Sequence, residues 1–331
     1  MACFQNAHSQ IQSRFARFPR EIRLEVYENL LALTEFSFVS TAGPCLWDPT
    51  GCIRGPEARP TSNRLAFLRV CRGITNEIEL NKKLSNWLGD VLLDFEDTKA
   101  MLEKLATVPS EILGRIRHVR FRATPLPLVI YPDLRARALE EFRCTVEPAG
   151  ALKQLHGLNL DRLTVIGSPA SPQAQYDMVN RLVAGGNGWR ELRFICNTSE
   201  MLGYSYTGTD QRYRRRPQPG NWQATLNARD RVASGPSVTI YRSTLLNTPD
   251  SVLDPGTNSV YEQSPPTQPD GHDPGTDDPG LLGPDERDKE LLVVVRRGAG
   301  VECEQQQLPA ATTTWDTLTE DMTDIEMFDR Y

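Results

Sequence analysis

Histidine is scarce: there are four, at positions 8, 118, 156 and 272 of 331 residues. No two stand at i, i+3 or i, i+4, which excludes a helical zinc motif. Seven cysteines, at 3, 45, 52, 71, 144, 196 and 303, contain no CxxC pair. Their odd number and irregular spacing exclude a secreted disulfide framework, and they read as reduced thiols. No run approaches the ~18–20 consecutive apolar residues of a membrane helix. Met1 to Arg20 lacks the apolar stretch of a secretory signal. The expectation is a soluble intracellular chain, cytoplasmic or nuclear, with no membrane partner. Positive charge is also short: 37 Lys and Arg against 43 Asp and Glu leave a net charge of -6. That balance argues against nucleic-acid binding. Apolar residues are 39% of the chain, below the ~45–50% usual in globular proteins. Part of the chain is therefore expected to be disordered.

Catalytic signatures are missing too. Gly203-Tyr204-Ser205-Tyr206-Thr207-Gly208 is one residue too long for a nucleophile elbow. Gly185-Gly186-Asn187-Gly188 follows a helical pattern and precedes a strand pattern, the reverse of a phosphate cradle. It reads as a helix C-cap with a turn. Cys45, Cys52 and Cys71 lack a fourth metal ligand, and no acid/base pair can be assigned. The sequence thus calls for no catalytic residue, no metal and no cofactor, and the chain is not expected to be an enzyme.

What the sequence does have begins at Phe18-Pro19-Arg20-Glu21-Ile22-Arg23. Pro19 suits a first helical position, and Glu21 adds negative charge at the positive helix end. Ile22, Val26, Leu30 and Leu33 recur at helical spacing, with Tyr27 and Leu31 widening the stripe. The helix is expected to end near Thr34. Residues 36–63 read as irregular. A second helix is expected over 64–88, with Leu65, Leu68, Cys71, Ile74 and Ile78 on its apolar face.

Phe18 to Leu31 resembles the fungal F-box-like motif, in which L-P-x-E-I-R is followed by I-Y and a leucine pair. Leu68-Arg69-Val70-Cys71-Arg72, with Glu77 behind it, resembles the second half of that motif. Phe18 stands where the motif usually has leucine, and the segment 36–63 separates the halves. The resemblance extends through the body to about residue 243 and again over 289–304. It implies docking to a Skp-type adaptor of a cullin–RING ubiquitin ligase, with the rest of the chain presenting a protein substrate of unknown identity. It also implies partner-binding roles for Pro19, Glu21, Ile22, Val26, Tyr27, Leu30, Leu31, Leu68 and Cys71.

Beyond residue 89, strand and helix patterns alternate. Strands are expected at 91–95, 116–121, 163–166 and 192–195, and helices at 98–105, 134–142 and 176–183. Ile116 to Phe121 reads as a strand with one basic face. Such alternation implies an α/β body with parallel pairing. Either an irregular leucine-rich-repeat-like arc or a compact three-layer sheet fits, and the resemblance favours the arc. Strands at Val238–Tyr241 and Leu291–Val295 are expected to pair with each other or to extend the same sheet.

The expected organisation is a disordered terminus at 1–14 and an F-box-like helical head at 15–88. An α/β body follows at 89–243, then a disordered insertion at 244–288. A returning strand at 289–304 and an acidic tail at 305–331 complete it. The insertion carries eight prolines between 249 and 284 and too little apolar surface to repay the entropy of ordering. In the tail, Trp315, Leu318, Met322 and Ile325 fall at helical spacing, either a short docking helix or a frayed end. Arg212, Arg214, Arg215 and Arg216 form a dense basic cluster, read as an anion or import-receptor site or as a solvated loop. The head-and-body reading competes with a scaffold or partner-binding protein that has no ubiquitin role.

Overall fold

A computed structural model of the chain describes residues 15–32, 35–39, 45–47, 53–54, 59–60, 88–124, 126–130, 142–167, 172–203, 206–207, 212–213, 220–261, 284–304 and 322–325. The chain enters through a 3-10 turn, Phe15–Arg17, and helix α1 (Arg20–Ala32). Pro19 stands one residue before α1, and its carbonyl accepts the Arg23 N–H at 3.2 Å. Strand β1 (Glu35–Val39) follows. The short strands β2 (Cys45–Trp47), β3 (Ile53–Arg54) and β4 (Arg59–Pro60) come next. After β5 (Leu92–Phe95), Asp97 opens α2 (Thr98–Leu105) by accepting the Ala100 N–H at 2.7 Å. That bond satisfies one of the unpaired N–H groups of the first turn.

The short helix α3 (Ser110–Leu113) leads to β6 (His118–Ala123). A hairpin of β7 (Leu126–Ile130) and β8 (Phe142–Val146) leaves the main sheet. The chain returns through α4 (Pro148–Lys153), β9 (Leu160–Gly167), α5 (Pro172–Gly185) and β10 (Trp189–Cys196). Next are α6 (Glu200–Gly203), the two-residue strands β11 (Tyr206–Thr207) and β12 (Arg212–Tyr213), and α7 (Gly220–Asp230). The last elements are β13 (Ser237–Leu246), β14 (Asn258–Val260), α8 (Pro284–Arg287), β15 (Lys289–Arg296) and β16 (Met322–Ile325).

Among the described residues, nine strands form one sheet in the order β14-β13-β15-β10-β9-β6-β5-β1-β4. The run β1, β5, β6, β9, β10 is parallel, and its spatial order is its chain order. A doubly wound sheet reverses direction and opens a ligand crevice at the reversal. Here there is no reversal. Successive crossovers of one hand then place their helices on one face. Accordingly α2 touches α4, α4 touches α5, and α5 touches α7.

One core joins this helix row to the sheet. Val119, Phe121, Leu163, Val165, Leu192 and Phe194 are buried on alternate strand positions and cluster with Met101, Leu105, Val179, Leu182 and Trp222. At ~1.5–3 kcal/mol for each fully buried large apolar side chain, this layer dominates the favourable side of folding. The turn from α5 to β10 needs glycine: Gly188 has φ +85°, and a Cβ there would meet the Leu158 side chain at 3.3 Å. Arg229 of α7 ties off the end of α5, donating to the Val183 and Gly186 carbonyls at 2.9 and 2.6 Å. Burial lowers its pKa to about 10.

Several expectations require correction. Residues 36–39 are not irregular but belong to β1, whose register pairs Phe36 with Leu93 and Phe38 with Phe95. Phe38 stacks on Phe95 at 5.0 Å between ring centroids. β1, which follows α1, is thus a strand of the main sheet. The insertion expected at 244–288 is ordered over 244–261 and 284–288: β13 runs to Leu246, and β14 returns against it. Composition misleads there because one buried apolar residue, Val252, and one carboxylate, Glu290, anchor the turn. Met322 to Ile325 is a strand antiparallel to β8 rather than part of a helix, since backbone pairing with a neighbour outweighs weak helical spacing. Phe142 opens β8 instead of closing a helix. Residues 131–141, 262–283 and the second expected helix at 64–87 lie outside the described residues. The two late strands pair with each other and also extend the main sheet.

Candidate functional site

The face of the sheet opposite the helices is polar, and its side chains line up in rungs set by strand register. Along one rung, Leu92 faces His118, His118 faces Arg162, Arg162 faces Glu191 and Glu191 faces Arg296. On the next rung, Asp94, Arg120, Thr164 and Arg193 are neighbours in turn. On the third, Arg122, Ile166 and Ile195 adjoin. All of these residues except Asp94, Glu191 and Arg296 floor a cavity of about 720 Å³.

Two carboxylate arrangements hold the arginines other than Arg122. Arg120 donates from Nε to Asp94 Oδ1 at 2.7 Å and from Nη2 to Glu35 Oε1 at 2.6 Å. The Asp94 hydrogen bond, working against burial and aided by both carboxylate charges, raises its pKa further. Glu191 is shared by three guanidiniums: Arg193 Nε at 2.7 Å, Arg296 Nε at 2.9 Å and Arg162 Nε at 3.2 Å. Burial alone pushes the Glu191 carboxyl up. The Arg296 and Arg193 hydrogen bonds, with the Arg193 and Arg162 charges, outweigh it and hold the carboxyl below its ordinary value. Burial, and next the Arg162 charge, lower the pKa of His118 and favour a neutral imidazole. Arg122 is exposed and makes no ion pair among the described residues.

The wall of the cavity is the turn at 249–253. Glu290 fixes it, accepting the Asp250 N–H at 2.9 Å, the Val252 N–H at 3.1 Å and the Ser251 hydroxyl at 3.1 Å. Val252 is fully buried against Ile195, Leu292 and Val294, a small second core on this face. Pro249 and Leu253 face the cavity. Glu290 is buried and spent on these bonds, so it anchors the wall.

Arg120, Arg162 and Arg193 are each held by carboxylates. No group of three or more His, Cys, Asp or Glu among the described residues could hold a metal ion. Cys196 is buried in an apolar setting that raises its pKa, which keeps it an unreactive thiol. No helix among the described residues is long and apolar enough to cross a membrane.

The sequence-derived site residues fall elsewhere. On α1, Ile22 and Leu30 are each 44% exposed with Val26 half-buried between them, and Phe18, just before the helix, is 50% exposed. Pro19 and Glu21 are exposed. Tyr27, expected to bind a partner, is 2% exposed and packs on Phe15 at 5.7 Å, so it belongs to the core. At ~100° per residue, Leu24 and Tyr27 point away from the ridge of Ile22, Val26 and Leu30, which explains the split. Leu31 lies in α1, and its side chain is outside the described residues, as are Leu68 and Cys71. Arg212 lies in β12, where only the backbone is described; Arg214, Arg215 and Arg216 are outside the described residues. Sequence reasoning missed Arg162, Arg193 and Glu191. The basic face expected for Ile116 to Phe121 was the available signal.

No protein-family model matches this chain, and neither the curated proteins nor the solved structures contain a match to it.

Proposed function

We propose that the chain is an F-box-like protein-interaction module, the substrate receptor of a cullin–RING ubiquitin ligase, with α1 as the adaptor-facing element and the open sheet face as the partner surface. The observation that carries this reading is the ridge of Ile22, Val26 and Leu30. An apolar ridge that leaves Ile22 and Leu30 44% exposed, on the far side of a helix already anchored by Leu24 and Tyr27, is what a docking helix requires. The in-order parallel strands with one row of helices support a leucine-rich-repeat-like body, in which the strand side is the natural binding face.

A second reading has its own observation. β1 follows α1 directly and pairs with β5 in the main sheet, as expected if α1 is a structural cap on a scaffold with no ubiquitin role. Affinity capture of the full chain with a Skp-type adaptor separates the two. The adaptor reading expects capture by the native chain and loss of it in the Ile22→Asp, Leu30→Asp double variant, with the unfolding transition unchanged. Capture that survives the double substitution, or its absence from the native chain, favours the scaffold.

A further inference from the structure

We infer that the cavity on the open sheet face is a binding site for a phosphomonoester dianion, centred on Thr164 and read by Arg122, Arg162 and Arg193. This goes beyond the adaptor reading and does not depend on α1.

Register places the donors. Thr164 has Arg120 beside it on β6 and Arg193 beside it on β10. Arg162 is two residues earlier on the same face of β9, and Arg122 sits one rung further along β6. Neighbouring strands are ~4.8 Å apart and same-face residues of one strand are ~6.5–7 Å apart. The threonine and the four arginines line one cavity, and guanidinium side chains rooted at those points are long enough to reach a ligand held at the threonine hydroxyl. A hydroxyl donor ringed by arginines is an oxyanion site in outline.

Charge decides which oxyanion. Arg120 is outnumbered by Glu35 and Asp94, so that edge of the cavity is acidic and leaves Arg120 neutralised. Around Glu191 the balance reverses: Arg162, Arg193 and Arg296 share one carboxylate. Each engages Glu191 through Nε, so the terminal N–H groups of Arg162 and Arg193 remain for a ligand. Arg122 adds a further uncompensated charge. Asp90, Asp250 and Glu290 also line the cavity, but Glu290 is taken up by the 249–253 turn, Asp90 acts on His118 and Asp250 on Arg120. The positive excess is local to Arg122, Arg162 and Arg193, where it suits the ~-1.5 to -2 charge and several acceptor oxygens of a phosphomonoester. Glu191 already holds Arg162 and Arg193, so less order is lost at those two on binding.

The rest of the ligand has a place as well. Ile166, Ile195 and Leu253 make an apolar side beside the charged centre. The volume of about 720 Å³ falls within the ~300–1,000 Å³ of sites that hold a compact organic ligand. No Phe, Tyr or Trp lines the cavity among the described residues, so a base-stacking platform for nucleic acid is missing. The phosphomonoester is carried either by a small metabolite or by a phosphorylated side chain of a protein partner, and the apolar side suits both.

Calorimetric titration of the full chain with three probes tests this: phenyl phosphate, a degenerate phosphoserine peptide library, and the same library unphosphorylated. Saturable binding of phenyl phosphate or of the phosphorylated library is expected, at least tenfold tighter than the unphosphorylated one. The tighter of the two identifies the source. The Arg122→Gln, Arg162→Gln variant should weaken binding at least tenfold while its unfolding transition stays put. Thr164→Val should weaken it severalfold, and raised salt should weaken it in the native chain. The proposal is overturned if neither phosphorylated probe binds more tightly than the unphosphorylated library. Unchanged binding in the folded double-arginine variant overturns it equally. Adaptor capture should be untouched by these substitutions, so failure here and failure of the α1 reading are told apart.

Discussion

Arg297 Nε lies 2.6 Å from Asp230 Oδ2, and the two side chains are only 4% and 0% exposed. Asp230 closes α7 and also accepts the Gly298 N–H at 3.0 Å, while the Arg297 guanidinium sits 5.6 Å from the centre of the Trp189 ring. This buried pair locks the last helix of the row to the segment leaving β15. Removing one partner strands the other charge in the interior, which costs far more than the pair itself contributes. Asp230→Asn should therefore destabilise the protein by about 3–5 kcal/mol, read as a lower urea midpoint at neutral pH. A shift below about 1 kcal/mol would mean that water reaches the pair and screens it.

The same carboxylate governs acid stability. Burial pushes the Asp230 carboxyl up, but the Arg297 hydrogen bonds, the Gly298 N–H and the charges of Arg297 and Arg229 outweigh it and hold it below the ordinary value. Glu191 is depressed in the same sense. A carboxyl with a lowered folded pKa stabilises the fold fully above its unfolded pKa, about 4, and loses that contribution as pH falls through the folded value. Urea midpoints should be flat for these groups from roughly pH 5.5 to 7 and fall below about pH 4. The decline should be shallower in Asp230→Asn, and an equally steep one would assign acid unfolding to other carboxyls.

Glu290→Gln should loosen the cavity wall without opening the sheet. The turn at 249–253 hangs on three bonds to this carboxylate and on buried Val252. An amide keeps one acceptor oxygen, so the charge-assisted bonds weaken and the loss is about 1–3 kcal/mol, mostly local. Amide hydrogen exchange should speed up at Asp250 and Val252 and stay slow at Leu163 and Phe194. Uniform acceleration would place Glu290 in the global core instead.

His118 reports on the floor of the cavity. Burial and then the Arg162 charge lower its pKa, so an NMR titration should give a midpoint below the usual ~6.5. Arg162→Gln removes one lowering charge and should move that midpoint upward. A midpoint that does not move would place the Arg162 guanidinium away from the imidazole.

The helical patterns of 98–105 and 176–183 and the strand patterns of 91–95 and 192–195 correspond to α2, α5, β5 and β10. Local rules suffice at such places, because a buried face repeats every two or about 3.6 residues. They fail where one residue carries the order. At 249–253, a single valine and a carboxylate from β15 override a composition that argues for disorder. They also fail at α1, where apolar residues on two sides of the helix merge into one stripe when read linearly.

By itself the sequence determined the alternating α/β elements, the apolar stripe of the first helix and the basic face of the strand ending in Phe121, all of which follow from short-range periodicity and composition. Only the tertiary structure decided that β1 joins the body sheet, that a turn from the proline-rich segment walls a cavity, and that Arg122, Arg162 and Arg193 surround Thr164. Side chains on adjacent strands stand about 5 Å apart however distant they are in the chain. Which strands become adjacent, and in what register, is settled by how their apolar faces pack together.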